Sequence, residues 1–273
     1  MKRTIRALAF ACAAAVAGTA GAAMSFSNDV TDLWWNADES GWGVNIIQQS
    51  NILFATFFVY DQNGQPHWFV ASDLEGASVP TDIPYRFTGR LYETTGPAFS
   101  AAAFSASAVT RRDAGPATFE FFPPNTGRLT YSVDGVTVTK NLNRQTWAAN
   151  DMSGKYFGGR MTIKSPFNAA TCSPSTGLQV FDDITITHSG TSFTMTAVAG
   201  AAPPSELCNY TGTYSQAGHM GRVEGAYSCQ SGVSGSFTLG EVEIGTNGFS
   251  AFYDASDQAG CRGYGNFSAV RTN

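Results

Sequence analysis

The sequence predicts an all-β protein made of two antiparallel β domains, and three observations support this. Short apolar stretches alternate with Gly-, Asn- and Asp-containing turns, charged residues make up only 14% of the chain, and no long helical period is present. All five tryptophans precede residue 150, whereas all the cysteines after residue 12 follow it. This segregation predicts two separately built cores, in residues 24–149 and 150–273.

Residues 1–23 have the layout of a secretory signal peptide. Three basic residues precede an apolar run over 7–17, and Ala20-Gly21-Ala22 fits a small-residue cleavage site. That run is too short to span a bilayer, which takes about 20 residues. We therefore expect export to the periplasm or the extracellular space, with Cys12 removed together with the signal. No later apolar run is long enough for a transmembrane helix, so we do not expect a transmembrane protein.

The charge balance of the remaining chain disfavours anionic partners. Without the three basic residues of the signal, 13 Lys and Arg stand against 21 Asp and Glu, a net charge of −8. Nucleic acids and anionic lipid surfaces are bound through basic patches. We therefore expect no nucleic-acid partner.

The N-terminal half is predicted to fold as a set of β-hairpins. Asp61-Gln62-Asn63-Gly64 and Asp134-Gly135 are strong turn signals, because glycine accepts the positive φ that such turns require. With Tyr60 opposite Gln65, Phe57 would face Trp68 across the first hairpin. The best helical candidate, 101–109, is short and rich in Ala and Ser. Strands are predicted at 42–46, 52–60, 66–70, 85–93, 117–122, 127–133 and 136–142.

The C-terminal half is predicted to form a meander of eight strands. Eight strands are enough for a small closed barrel, which leaves no exposed sheet edge. The strands are predicted at 154–163, 178–187, 192–198, 208–215, 221–229, 235–244, 249–253 and 261–270.

An even number of cysteines in an exported chain predicts two disulfides among Cys172, Cys208, Cys229 and Cys261. The up-and-down order of the strands places all four near one end of the barrel. Cys208 and Cys229 are opposite partners in one hairpin, and all three connectivities stay open. The sequential pairing, Cys172–Cys208 with Cys229–Cys261, is slightly preferred. No C-x₂-C pair occurs, so neither a metal site nor a cofactor is predicted.

The segment from Trp34 to Gly43 is the candidate ligand surface. Three indoles within nine residues are interleaved with Asn, Asp and Glu, and flat rings beside polar groups suit a sugar or a small apolar ligand. The alternative is that the indoles are core residues, since tryptophan is usually well buried. The predicted ligand-binding set is Trp34, Trp35, Trp42, Tyr60, His67 and Trp68.

Catalysis finds little support in the sequence. His67 would need a partner to act as a general base, and Asp61 is the nearest acidic residue along the chain. Several carboxylate pairs exist, but nothing distinguishes any of them as a glycosidase pair. No catalytic residue is predicted. The leading hypothesis is a binding protein for a glycan or a small apolar ligand. A structural or protein-interaction role in the cell envelope comes second, and a hydrolase third.

One stretch of the N-terminal half carries a pattern made up of Trp34-Trp35, Glu39-Ser40-Gly41-Trp42-Gly43, Leu53-Phe54-Ala55, Tyr60-Asp61, Gly64 and Trp68. This stretch resembles a pattern in uncharacterised secreted proteins of proteobacteria. The resemblance implies export and carries no activity with it. Phe57-Phe58 stands where a tryptophan is common in that pattern. The C-terminal half is similar, in general terms, to small disulfide-bearing barrels of the calycin kind.

Overall fold

The computed structural model describes residues 29–76, 84–100, 102–166, 172–200 and 206–272, so the predicted signal peptide lies outside the described residues. The prediction of an all-β fold with two antiparallel domains is confirmed. Each domain is a closed barrel of eight strands in which neighbours in sequence are neighbours in space. Within the described ranges the helical content is a single 3₁₀ turn, Ala106–Ala108, at the end of the predicted helical candidate.

The N-terminal barrel contains strands β1 to β8. Closure was not predicted for this half, and it comes from the short strand β1, which pairs with β8 as well as with β2. The strands are β1 Asp32–Trp35, β2 Gly43–Gln49, β3 Ile52–Tyr60, β4 Pro66–Gly76, β5 Tyr85–Thr95, β6 Thr110–Phe122, β7 Thr126–Val133 and β8 Val136–Arg144.

Aromatic rings fill the interior of the N-terminal barrel. Successive side chains of a strand alternate between its two faces, so every second residue of β3 and of β6 points inward. Phe119 and Phe121 are fully buried with stacked rings 5.8 Å apart, and Trp34 lies 4.9 Å from Phe121. Each such side chain contributes about 1.5–3 kcal/mol by leaving water.

The first hairpin pairs one residue out of the predicted register. Tyr60 lies opposite Pro66, and Phe58 lies opposite Trp68. The cause is the turn: the backbone N–H of Asp61 donates to the carbonyl of Gln65, while the Asp61 carboxylate accepts from the backbone N–H of Gln65. The loop is therefore longer than the predicted turn. Phe58 and Trp68 meet on the outside of the barrel.

An ionic cluster lies on the outer face of the N-terminal barrel. Glu120 of β6 accepts hydrogen bonds from Arg86 of β5 and from Arg128 of β7, each at 2.7 Å. The residue is largely buried beneath these partners. Hydrogen bonds first from Arg86 and then from Arg128 hold the pKa of the Glu120 carboxyl below its usual value.

The C-terminal barrel contains strands β9 to β16, and all eight predicted strands are present. Strand β9 closes the barrel by pairing with both β10 and β16. The strands are β9 Gly154–Pro166, β10 Ser175–Ser189, β11 Ser192–Ala199, β12 Glu206–Ala217, β13 Met220–Cys229, β14 Ser234–Gly245, β15 Gly248–Asp257 and β16 Cys261–Thr272.

Two disulfides lie at one end of this barrel, where the cysteines were predicted to gather. Cys208 is bonded to Cys229 across the β12–β13 pair, and Cys172 is bonded to Cys261. The preferred sequential pairing is therefore wrong. Cys208 and Cys229 are direct cross-strand partners with Cα atoms 4.0 Å apart, so each is already within bonding distance of the other.

A small polar cluster joins the two barrels across the segment between β8 and β9. Asp32 accepts hydrogen bonds from Arg144 at 2.7 Å and from His219, in the β12–β13 turn, at 2.9 Å. Burial raises the pKa of Asp32, but the bonds from His219 and Arg144 outweigh it, and the net pKa is lowered. The hydrogen bond to Asp32 raises the pKa of His219. Gly218 has φ +60°, and a Cβ there would overlap the Asp32 carboxylate.

Candidate functional site

A cavity of about 610 Å³ opens at the end of the N-terminal barrel where the β1–β2, β3–β4 and β7–β8 turns lie. We call this cavity the cup. Its volume is within the range of about 300–1,000 Å³ that is usual for small-molecule sites. The lining residues are Glu39, Trp42, Phe57, Val59, Tyr60, Asp61, Gln62, His67, Phe69, Leu91, Glu93, Arg112, Leu129, Tyr131, Val133, Asp134 and Lys140.

The floor and lower wall of the cup are apolar. Strand alternation turns Phe57 and Val59 inward from β3, and it turns Leu129 inward from β7. Phe57, Leu91 and Leu129 are buried, while Val59 and Phe69 are only partly covered by the core beneath them. Deep in the cup a ligand would therefore meet hydrocarbon and aromatic surface.

One side of the rim carries Trp42 in a fixed polar setting. The carboxylate of Glu39 accepts a hydrogen bond from the Trp42 indole N–H at 3.1 Å and one from the Lys140 ammonium at 2.6 Å. The hydrogen bond from Lys140, followed by that from Trp42, holds the pKa of Glu39 below its usual value. These contacts hold the indole at the mouth, partly exposed and beside a charge pair.

The other side of the rim is a chain of four polar groups. His67 Nε2 lies 3.2 Å from Glu93 Oε1, and Arg112 donates to Glu93 Oε2 at 2.7 Å through Nε. Arg112 also pairs with Asp134 in the β7–β8 turn. The imidazole lies edge-on to Phe69, with ring centroids 4.8 Å apart. Each charged group in this series of four has an oppositely charged neighbour at the rim of the cup.

The structure brings three of the predicted ligand-binding residues together, namely Trp42, Tyr60 and His67, all of which line the cup. Trp34 does not belong to a ligand surface: it is 1% exposed, and its indole N–H donates to the carbonyl of Val30 at 2.9 Å. Its place in the core follows from the closure of β1 onto β8, which turns Trp34 inward and its half-buried neighbour Trp35 outward.

Trp68 also lies away from the cup. It is 47% exposed and faces outward from β4, opposite Phe58, because the true register of the first hairpin turns His67 and Phe69 inward instead. Among the predicted set, Trp34, Trp35 and Trp68 are therefore not lining residues.

Sequence reasoning missed the charged half of the rim. Glu93, Arg112, Asp134 and Lys140 come from β5, β6, the β7–β8 turn and β8. Pairing of β4 with β5 and of β5 with β6 brings Glu93 and Arg112 near His67, and closure of β8 onto β1 brings Lys140 near Trp42. One signal was present in the sequence: Arg111-Arg112-Asp113 interrupts an otherwise apolar strand region. Inward-facing polar residues near the end of a barrel strand indicate an open mouth.

The chemistry available in the cup is limited. His67 and Glu93 form a histidine–carboxylate pair, but Glu93 is shared with Arg112. Among the described residues that line the cup there is no Ser, Thr or Cys to act as a nucleophile. The arrangement is suited to holding a molecule.

Three potential metal ligands, Glu206, Cys208 and Cys229, lie together in the C-terminal barrel, but the two sulfurs are bonded to each other and are not thiolates. In the described part of the chain, no helix has the length and apolar character needed to cross a bilayer. Comparison with protein-family models, with curated proteins and with solved structures finds no match.

Proposed function

We propose that the protein is an exported binding protein whose N-terminal barrel holds a small amphipathic ligand in the cup. The observation that carries the proposal is an apolar floor beneath a rim of mutually paired charges. The apolar part of the ligand would fill the floor, and its polar group would lie between Trp42 and the His67–Glu93 pair. Burial of apolar surface supplies the affinity, and the rim supplies orientation.

The pairing of the rim charges defines the polar group of the ligand. Glu39 pairs with Lys140, whereas Glu93 and Asp134 share Arg112. A strongly charged head group would have to break one of these pairs, whereas a hydroxyl, amide or zwitterion can both donate and accept without doing so. The carboxylates that line the cup also outnumber its Lys and Arg side chains, which disfavours an anionic head group, and a neutral or zwitterionic one fits without breaking a pair.

An apolar body fits the cup better than a sugar ring does. A monosaccharide carries hydroxyls around its whole edge, and those inserted into the floor would lose water without gaining partners. A glycan would be confined to the mouth, where Trp42 and Tyr60 offer ring surface beside Glu39 and Asp61. The glycan hypothesis therefore predicts weak binding that depends on the rings of Trp42 and Tyr60.

A titration with N-phenyl-1-naphthylamine, a neutral apolar fluorophore, tests the proposal. The wild-type protein should bind it saturably, with energy transfer from tryptophan. Trp42→Phe should lower that transfer more than the matched Trp147→Phe does, because Trp147 is a well-exposed indole outside the strands of the barrel. Absence of saturable binding, or equal transfer in the two variants, would contradict a ligand in the cup.

A charge placed on the wall of the cup provides the complementary test. Val59→Asp turns a carboxylate into the apolar region and should weaken naphthylamine binding at least tenfold, because burying an unpaired charge costs several kcal/mol. Val136→Asp adds the same charge at an exposed position of the same barrel and should leave binding unchanged. Equal affinities of the two variants would place the probe elsewhere.

Export is the second part of the proposal. The predicted signal peptide and the two disulfides support it, since disulfides persist in oxidising compartments. The mature protein should appear in the periplasmic or extracellular fraction with a new N-terminus after residue 22 or 23. An intact N-terminus in the cytosolic fraction would refute this part.

A protein-interaction role in the envelope is the second candidate, and the outer face of the N-terminal barrel favours it. On this face Ile47 lies opposite Phe54 and Phe58 lies opposite Trp68, and all four side chains are exposed. Exposed apolar patches mark interaction surfaces. Chemical cross-linking in envelope extracts should give one discrete adduct that is lost in the Phe58→Ser/Trp68→Ser double variant. An adduct unchanged by that variant would exclude this surface.

A further inference from the structure

A second cavity, of about 340 Å³, opens at the disulfide end of the C-terminal barrel. It belongs to the other barrel from the cup, so nothing argued about it depends on the function proposed for the cup. We call it the disulfide-end cavity. Its wall includes Cys208, Cys229 and Cys261, and its volume is at the small end of the range for small-molecule sites.

Arg160 of β9 points into the barrel at this cavity. Its guanidinium carbon lies 4.4 Å from the ring centroid of Tyr253 and 5.4 Å from that of Phe181, and Nη1 donates to the Tyr210 hydroxyl at 3.3 Å. Within the part of the chain that the structure describes, Arg160 has no carboxylate partner. A guanidinium carries five N–H donors, and the Tyr210 hydroxyl is the one protein acceptor described for them.

Arg160 differs in this respect from other partly or fully buried arginines of the chain. Arg144 pairs with Asp32 at 2.7 Å, and Arg262 pairs with Asp254 at 2.5 Å. Removing a charge from water without a counterion costs free energy. Proteins keep such a charge where a ligand supplies the counterion.

An unsatisfied hydroxyl lies next to the arginine on the same face of the strand. Thr162 is two residues beyond Arg160 in β9 and lines the same cavity, and its buried Oγ1 has no hydrogen-bond partner among the residues that the structure describes. Lys164, two residues further, brings a second positive charge to the rim. A buried hydroxyl without a partner is uncommon in folded proteins and needs an explanation.

The acidic groups at this rim are directed elsewhere. The Asp257 carboxylate accepts the backbone N–H groups of Ala259 and Cys261, each at 2.9 Å, and so holds the β15–β16 turn. Glu206 accepts a hydrogen bond from the Ser231 hydroxyl. The interior of the cavity is therefore left with donors and a positive charge.

We propose that the disulfide-end cavity binds the carboxylate group of a small organic anion, with Arg160 as its counterion and Thr162 as an additional hydrogen-bond donor. A planar guanidinium matches a planar carboxylate through two parallel N–H···O bonds. The aromatic rings of Tyr253 and Tyr227 would cover the body of the anion. Burial raises the pKa of Tyr253, so its hydroxyl keeps its proton and remains a donor.

Calorimetric titration of the full chain with benzoate, benzamide and phenyl phosphate tests this proposal. Wild type should bind benzoate at least tenfold more tightly than benzamide, which has the same shape without the charge. Equal binding of benzoate and benzamide would overturn the proposal. Tighter binding of phenyl phosphate than of benzoate would overturn the assignment to a carboxylate.

Arg160→Met tests the residue itself, since methionine keeps an unbranched apolar side chain without the charge. It should weaken benzoate binding at least tenfold. Arg271→Met is the matched control, because Arg271 also donates to a tyrosine hydroxyl, that of Tyr156 at 3.0 Å, but does not line the cavity. The control should keep wild-type affinity. Equal losses in both variants would refute a specific role for Arg160.

Thermal stability separates a ligand-binding arginine from a structural one. Without benzoate, Arg160→Met should melt no lower than wild type, because it removes a charge that has no protein counterion. A lower melting temperature together with unchanged benzoate affinity would overturn the proposal. Thr162→Val, which preserves the side-chain shape, should weaken benzoate binding several-fold with no loss of stability, and unchanged affinity would exclude Thr162 as a donor.

Discussion

Replacement of Trp34 by phenylalanine separates the structural tryptophan from the candidate ligand-binding one. The Trp34 indole N–H donates to the carbonyl of Val30, and its loss removes a buried hydrogen bond and leaves that carbonyl without its partner, at a cost of about 1–2 kcal/mol. The smaller ring also leaves a void beside Phe121, which costs about 1–2 kcal/mol more. We expect Trp34→Phe to lower the free energy of unfolding by about 2–4 kcal/mol.

Scanning calorimetry of the full chain measures this effect. A loss of that size should lower the melting temperature of the N-terminal barrel by roughly 10 °C. Trp35→Phe, at the half-buried neighbour on the opposite face of β1, is the control and should cost less than about 1 kcal/mol. Equal effects of the two changes would refute the assignment of Trp34 to the core. Naphthylamine binding to either folded variant should match wild type.

Three further perturbations have definite outcomes. Cys208→Ala removes a disulfide with a sequence separation of 21 and should lower the free energy of unfolding by about 3 kcal/mol. Cys261→Ala removes one with a separation of 89 and should lower it by about 5 kcal/mol. Denaturation in urea should give that order, and the reverse order would contradict it. Glu120→Gln should cost about 1–2 kcal/mol at neutral pH, because it leaves two arginines without a counterion. Folding lowers the pKa of Glu120, so the difference in free energy of unfolding between wild type and this variant should have its full value above about pH 5, near the usual Glu pKa. It should disappear as the pH falls through the lowered pKa. A difference that does not change with pH would contradict this reasoning. Gly218→Ala should displace the Asp32 carboxylate from His219, and an NMR titration should then show the His219 pKa falling back towards its usual value, whereas an unchanged titration would argue against the described contact.

The His219 contact also gives the stability of the joint between the barrels a definite pH dependence. Folding raises the pKa of His219, so its contribution is complete below the usual histidine pKa of about 6.5 and is lost as the pH rises through the raised value. Folding lowers the pKa of Asp32, so its contribution is present above the usual Asp value and is lost in acid. The joint is most stable between these limits.

Local patterns were sufficient to predict the C-terminal barrel. Its strands are long, alternate regularly, and are joined by turns such as Ser189-Gly190, where Gly190 has φ +60°. Each strand pairs with its neighbours in sequence, so turn positions largely determine the order of the sheet. The position of the cysteines at one end followed from the same alternation of strand directions.

Closure of the N-terminal barrel depends on a contact that no local pattern reveals. Strand β1 has only four residues, and Trp34 pairs with Arg144 at the far end of the domain sequence. The first half of β6 was missed because Arg112 turns into the cup while its neighbours face water, so the apolar alternation that marks a strand is absent there. The register error in the first hairpin likewise arose from a loop longer than the predicted turn.

The candidate site was predictable only in part, for the same reason. Tyr60 and His67 flank one strong turn signal, Trp42 belongs to the indole-rich segment, and all three were found. Their charged partners Glu93, Arg112, Asp134 and Lys140 come from later parts of the domain sequence. The two cysteine pairings could not be chosen from proximity alone, because all four residues lie at one end.

The positions of the two cavities follow from how the barrels are joined. Asp32 begins β1 and Arg144 ends β8, so the joint is at the end of the N-terminal barrel opposite the cup. On the other side, His219 lies in the β12–β13 turn, at the opposite end of those strands from Cys208 and Cys229. The cup and the disulfide-end cavity therefore open away from the joint and from each other. The two barrels meet through a small polar cluster and have separate hydrophobic cores. We therefore expect that a ligand bound in one cavity does not change the ligand affinity of the other, because no continuous set of packed side chains joins the two cores in the described part of the chain. Two independent sites, one for a neutral amphipathic molecule and one for an organic anion, are what this arrangement permits.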